Sequence, residues 1–159
     1  MLIGNIGSGK STWATKQIES EKDTVIVCKD AFRTCINNKY IFDPLQEPVI
    51  HHLTVTAIVQ FLLHGFSVIC DETNIYKQGR MSILKEIKKH VKKVTIVYVY
   101  FFDHGNNIEW RMRDSRGIGR EVWERVYNNK KTRIQEPTQD EGYDVLLTID
   151  NNNERDNNV

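Results

Sequence analysis

The stretch that decides the fold is Gly4-Asn5-Ile6-Gly7-Ser8-Gly9-Lys10-Ser11-Thr12. It satisfies the phosphate-loop pattern G-x-x-x-x-G-K-[ST] in full. Gly4, Gly7 and Gly9 let the backbone turn with positive φ and bring N–H groups close to an anion. The helix expected to start near Lys10 aims its N-terminal dipole and free N–H groups at the same anion. Lys10 supplies a point charge for β- and γ-phosphates. The Ser11 hydroxyl is a hard oxygen ligand for Mg²⁺, and Thr12 reaches the α- or β-phosphate. Gly7, Ser8, Gly9, Lys10, Ser11 and Thr12 are therefore the expected ATP contacts. A phosphate loop ordinarily follows a buried strand of about five residues. Only Met1-Leu2-Ile3 precede Gly4, so the first strand is either very short or begins upstream of this sequence.

Outward from the loop, apolar runs alternate with helical patterns. Ser11 to Glu19 reads as helix, with Ala14, Ile18 and Trp13 turned inward. Thr24 to Cys28 is a continuous β-branched run, hence a buried parallel strand. It ends at Lys29-Asp30-Ala31-Phe32-Arg33, where Asp30 is an N-cap candidate for a short helix. Val49, Ile50, Leu53, Ala57, Ile58, Phe61 and Leu62 keep helical spacing up to a cap at Gly65. Phe66 to Cys70 is the next strand and ends in Asp71-Glu72-Thr73-Asn74. An amphipathic helix follows with Met81, Leu84, Ile87 and Val91 on one face. Val94 to Phe102 is a central strand ending at Asp103. Two helical segments, from Ile108 and from Glu121, flank the glycine-rich Ser115 to Arg120. The second should bury Val122, Val126 and Tyr127. Tyr143 to Ile149 is a last strand.

This alternation predicts an α/β fold of three α/β/α layers around a mostly parallel sheet of about five strands. Right-handed crossovers gather the C-terminal strand ends, and with them the ligand, at one edge. Residues 1–150 form one expected domain. Residues 151–159 have almost no apolar content and read as a disordered tail.

A chain of 159 residues with 40% hydrophobic and 27% charged residues suits one ordinary globular domain. The net charge of +1 hides a segregation. Lys77, Arg80, Lys85, Lys88, Lys89, Lys92 and Lys93 face Glu86 alone, and Arg111, Arg113, Arg116, Arg120 and Arg125 follow. Such clustering suits a polyanionic partner, or else a solvated helix face. Cys28, Cys35 and Cys70 are odd in number and form no C-x-x-C pair, which fits a reducing, cytoplasmic setting. Val94 to Phe102 is far too short to span a membrane, and no signal peptide is legible.

Asp71 ends an apolar strand, where phosphate-loop enzymes keep the acid that holds the Mg²⁺ shell. Side chains alternate along a strand, so only one of Asp71 and Glu72 can face the metal. Asp71 is favoured, with Glu72 its competitor, and Ser11 and Asp71 are the expected metal ligands. Arg116, between flexible glycines, reads as part of a lid around residues 111–120 that closes over the triphosphate. A surface arginine in a helix–helix turn is the alternative.

Four segments stand in the order seen in polynucleotide 5′-hydroxyl kinases. They are Gly7 to Ala14, Asp30-Ala31-Phe32-Arg33, Asp71-Glu72-Thr73-Asn74 with Arg80 beyond, and Arg111 to Arg120. The chain resembles the kinase domain of phage and bacterial end-healing enzymes over most of residues 1–133. The resemblance implies a P-loop kinase-like fold and transfer of the ATP γ-phosphate to the 5′-hydroxyl end of DNA or RNA. It implies Asp30 as general base, Arg33 on the 3′-phosphate of the terminal acceptor nucleotide and Arg116 on the donor phosphates. Thr73, Asn74 and Arg80 would join Arg33 at the acceptor, with Lys10 among the catalytic groups. No Asp-x-Asp-Gly-Thr sequence is present, so the 3′-end trimming of some relatives is not expected. Two other functions fit the same loop: a kinase for a small-metabolite or antibiotic hydroxyl, and an ATP-binding switch without turnover.

Overall fold

The computed structural model describes residues 1–150. The tail expected to be disordered lies outside the described residues. Strand β1 (Leu2–Ile3) leads through the phosphate loop into helix α1 (Lys10–Ser20). Then come β2 (Thr24–Val27), α2 (Lys29–Asn37), α3 (Glu47–Leu63), β3 (Ser67–Cys70), α4 (Lys77–His90) and β4 (Val97–Phe101). Helices α5 (Asn107–Arg113) and α6 (Arg120–Lys131) precede a 3₁₀ helix at Gln139–Glu141 and β5 (Val145–Ile149).

Among the described residues every strand pair is parallel. The five strands stand as two pieces, β1-β4-β5 and β2-β3, where a single sheet was expected. The reason is the length of β1, which is only two residues. The pieces are tied at one end, where Gly4 N–H donates to Thr73 O at 3.0 Å and Asn74 Nδ2 donates to Leu2 O at 2.8 Å. Along the rest of the seam lies a cavity of about 640 Å³, lined among others by Leu2, Val68, Ile69, Ile83, Ile87 and Val97.

Helices cover both faces. Ile58 and Val59 of α3 and Ile83, Leu84 and Ile87 of α4 bury against Ile3 and Tyr98 on one side. Ala14 of α1 meets Leu2, Val99 and Phe101 on the other, with Trp13 edge-on to Phe101. Ile108, Trp123 and Tyr127 make a smaller core between α5 and α6.

In three helices the inner face matches the one their apolar spacing suggested only in part. In α3, Ile50, Thr54, Val55, Ile58 and Val59 are buried, while Val49, Leu53 and Phe61 are exposed. That helix is apolar nearly all round, so periodicity does not choose its inner side. In α6, Trp123 and Tyr127 turn inward and Val122 outward. In α4, Met81 is exposed and Arg80 joins Ile83, Leu84 and Ile87 inside. Ile18 of α1 is also exposed.

Candidate active site

The phosphate loop is built from the inside. Gly9 takes a left-handed conformation (φ 92°) as the N-cap of α1 and supplies no side-chain cap, so the first N–H groups of that helix stay available for an anion. Gly7, at φ 68°, lies so close to α5 that a Cβ would sit 2.0 Å from the Asn107 carbonyl oxygen. Lys10 is buried and its Nζ donates to Asn5 O at 2.6 Å and to Ser8 Oγ at 3.1 Å. Burial pulls its pKa down to about 8, against the raising effect of Asp71. Asn5 is itself buried. Its Nδ2 donates to Tyr127 O and to Asp103 Oδ2, both at 3.1 Å, and its Oδ1 accepts from Ile6 N–H. Asp103 also accepts from Tyr127 Oη at 2.7 Å and from Gly105 N–H at 3.0 Å. It braces a turn, and Asn5 couples the loop to α6.

At the end of β3 the two acids part. Asp71 is hydrogen-bonded to the Ser11 hydroxyl, and burial raises its pKa despite that bond and the Lys10 charge. Glu72 turns to the other side and accepts from Lys29 N–H at the start of α2. Its burial lifts the pKa to about 7. Two hard oxygen donors, Ser11 Oγ and Asp71, thus adjoin one another beside Lys10. A Mg²⁺ ion needs little more from protein, because it keeps several waters and takes phosphate oxygens. Among the described residues no group of three or more His, Cys, Asp or Glu stands together as a metal site, which such a shared site does not require.

Asp30 lies in the first turn of α2. It is not the N-cap: Cys28 takes that place, its Sγ accepting from Ala31 N–H at 3.4 Å. The Asp30 carboxylate is left to side chains. Oδ1 accepts from Arg33 Nη1 and Oδ2 from Arg116 Nη1. Arg33 is held in turn by Glu47, with Nε and Nη2 each 2.7 Å from a carboxylate oxygen. Arg116 sits in a left-handed conformation (φ 55°) just before Gly117 (φ 73°). Its guanidinium lies 4.7 Å from the Tyr40 ring centroid and also reaches Asp114. Tyr40 and Asp30 interact electrostatically, and burial raises the tyrosine pKa.

A groove of about 510 Å³ runs from the loop to this cluster, lined by Gly7, Lys10, Thr12, Trp110, Arg111 and Arg116 among others. Arg111 stacks at 4.2 Å on Trp123. Among the described residues its Nε and Nη2 meet no acceptor. Burial, then the nearby Arg116 charge, lowers its pKa. A half-buried cation with unused donors on a groove that opens from the loop suits an anion.

Two residues expected at the acceptor are engaged elsewhere. Arg80 is 0% exposed. Its Nε and Nη2 hold Glu141 at 2.7 and 2.6 Å, and Nη1 bonds Asn74 O and Gln135 O at 2.9 Å each. Asn74 gives its amide to Leu2 O. Both hold the fold together and neither faces the groove. The Thr73 hydroxyl accepts from Lys130 Nζ at 3.1 Å. The basic stripe on α4 is partly spent within the chain as well: Lys77 pairs with Asp140 at 2.7 Å and Lys88 donates to Gly142 O at 2.6 Å.

A family model described as an AAA domain matches residues 1–137. The chain belongs to that family. No curated protein matches it. Among solved structures, a fungal RNA kinase superposes with a TM-score of 0.61 at 18% identity, over 94% of this chain and 37% of the other. A chain of the Pnkp1/Rnl/Hen1 RNA repair complex gives a TM-score of 0.67 at 20% identity, over 87% and 49%. The structure named APE1195 gives 0.61 at 20% identity, over 92% and 81%. The chain thus spans well under two thirds of the first two. At these identities the likeness is one of fold: a P-loop, kinase-like α/β/α domain. It agrees with the family resemblance read from the motifs. Among the described residues no helix is long and apolar enough to cross a membrane.

Glu47, Asn5, Lys130 and Glu141 were missed in the sequence as partners of site or framework residues.

Proposed function

We propose that the chain is an ATP-dependent kinase for 5′-hydroxyl ends of single-stranded DNA or RNA, with residues 1–150 as its catalytic unit. The observation that carries this reading is the Asp30 carboxylate. It is clamped between Arg33 and Arg116 and lies within electrostatic reach of Asp71. A carboxylate beside a phosphate loop, with cations on both sides, suits an alcohol acceptor flanked by phosphates. A nucleotide switch needs no such group.

The loop N–H groups and Lys10 bind the donor phosphates. Ser11 and Asp71 would hold Mg²⁺, which when bound neutralises charge on the β- and γ-phosphates. Asp30 accepts a hydrogen bond from the 5′-hydroxyl and takes its proton late, because the transition state is loose and the base mainly orients the nucleophile. Of five guanidinium N–H donors, Arg33 spends three within the chain. Among the described residues that leaves one N–H on each of Nη1 and Nη2 for the first phosphate of the acceptor. Thr73, with Lys130, lines the acceptor side. The lid around residues 111–120 brings Arg116 onto the donor, and the unused donors of Arg111 suit the same anion.

The test is transfer of labelled γ-phosphate from ATP, resolved by thin-layer chromatography, to a 5′-hydroxyl oligonucleotide and to a panel of hydroxylated metabolites and aminoglycosides. The reading expects label on the oligonucleotide. Label only on a small molecule would replace it with metabolite kinase activity, and hydrolysis-free binding with a switch.

A further inference from the structure

Between α2 and α3, residues 40–43 run without helix or strand. Tyr40 and Phe42, two apart on this segment, end against the two arginines that hold Asp30. Tyr40 lies 4.7 Å from the Arg116 guanidinium carbon and Phe42 lies 5.6 Å from that of Arg33. The two rings differ in exposure. Tyr40 is half-buried, whereas Phe42 is 60% exposed. Arg33 is buried and fixed by Glu47, so it holds its place beside the ring. An isolated exposed apolar residue needs no explanation. This one stands beside the arginine that would grip the acceptor phosphate and is largely exposed.

We propose that Phe42 is the stacking platform for the nucleobase of the acceptor's 5′-terminal nucleotide. This rests on the function proposed above. With the 5′-hydroxyl at Asp30 and the 3′-phosphate of the same nucleotide at Arg33, the Phe42 ring, 5.6 Å from the Arg33 guanidinium carbon, is within one nucleotide's reach of its base. Stacking tolerates any base, because every base has a π-face. It also requires that base to be free of its duplex neighbour. The acceptor class is therefore an unpaired or frayed 5′ end of any sequence, and a blunt duplex end is a poor substrate.

The test compares wild-type protein, Phe42→Ala and Phe42→Trp on two single-stranded 5′-hydroxyl oligonucleotides. One is intact and one has an abasic 5′-terminal nucleotide. Binding is read by fluorescence anisotropy and KM by phosphate transfer. Loss of the base should weaken wild-type binding about tenfold, within the range for one stacked base. Phe42→Ala should weaken the intact strand by the same factor and show no further loss on the abasic strand, while Phe42→Trp keeps the preference. Phe42→Ala should match wild type in thermal midpoint, since the ring is exposed. An undiminished preference for the intact strand in Phe42→Ala overturns the proposal. Transfer to 5′ ends without a Phe42-dependent preference sinks this inference alone. Wild-type protein that binds neither strand sinks it together with the function.

Discussion

Asp30 is the residue on which the proposed chemistry turns, and its setting differs from that of a helix cap. An N-cap carboxylate would bond backbone N–H groups; this one bonds Arg33 and Arg116, and Cys28 caps the helix. Asp30→Asn should therefore lower kcat by about 10² or more, the scale of a positioned base, and leave ATP affinity unchanged by isothermal titration. A folded Asp30→Asn protein with near-normal kcat on a 5′-hydroxyl oligonucleotide would remove Asp30 from the mechanism. At this scale the sequence was legible wherever the constraint is local. The loop glycines, Lys10 and Ser11 are read from one run of nine residues, and Asp30 with Arg33 from a three-residue spacing on one helix face. Asn5, Glu47 and Lys130 were not legible, because each acts through a partner 122, 14 or 57 positions away. A spacing rule does not reach that far.

Among the elements, the segment between α5 and α6 is the lid of the proposed mechanism. Arg116 and Gly117 both turn with positive φ, so the arginine is presented by a bend and not by a helix face. Arg116→Ala should lower kcat far more than it raises the ATP dissociation constant, because a closing contact counts most in the transition state. Loss confined to ATP affinity would make Arg116 a ground-state ligand. Helix α4 shows the opposite case. Its Arg80 looked like an acceptor contact from its place after Asp71-Glu72-Thr73-Asn74, yet it is buried against Glu141. Arg80→Ala should cost about 3–5 kcal/mol in denaturant unfolding by leaving a carboxylate buried without its partner. Burial opposes ionisation of Glu141, but the Arg80 bond wins and its pKa is lowered. The stability from this pair is present above the ordinary carboxylate pKa and is lost as pH falls through the lowered one. Glu141→Gln should thus cost most at neutral pH and least in acid. A neutral Arg80→Ala with a raised acceptor KM would restore the original reading. The inner faces of α3 and α6 were legible only in part for a physical reason: apolar residues surround α3, and in α6 the large Trp123 outweighs the smaller Val122 beside the expected Tyr127.

For the molecule as a whole, the alternation of strand and helix predicted the layers and the parallel pairing. It did not predict the seam, since the length of β1 acts through a ladder that the chain pattern does not display. The alternation set by Ser67 and Asp71, whose N–H groups bond β2, turns the N–H groups of Val68 and Cys70 toward the seam. Native-state hydrogen exchange should therefore be faster at Val68 than at Ile69. Equal protection would mean that the two sheet pieces are laddered in solution. The central claim, however, concerns the acceptor. Purified protein is incubated with γ-labelled ATP, Mg²⁺ and one single-stranded oligonucleotide prepared in two forms, with a 5′-hydroxyl and with a 5′-phosphate. Each product is then digested to mononucleotides. The account predicts label on the 5′-hydroxyl strand alone, released as the 5′-terminal nucleotide, and none with Lys10→Ala. Equal label on both strands, or none on either while a small alcohol is phosphorylated, would contradict it.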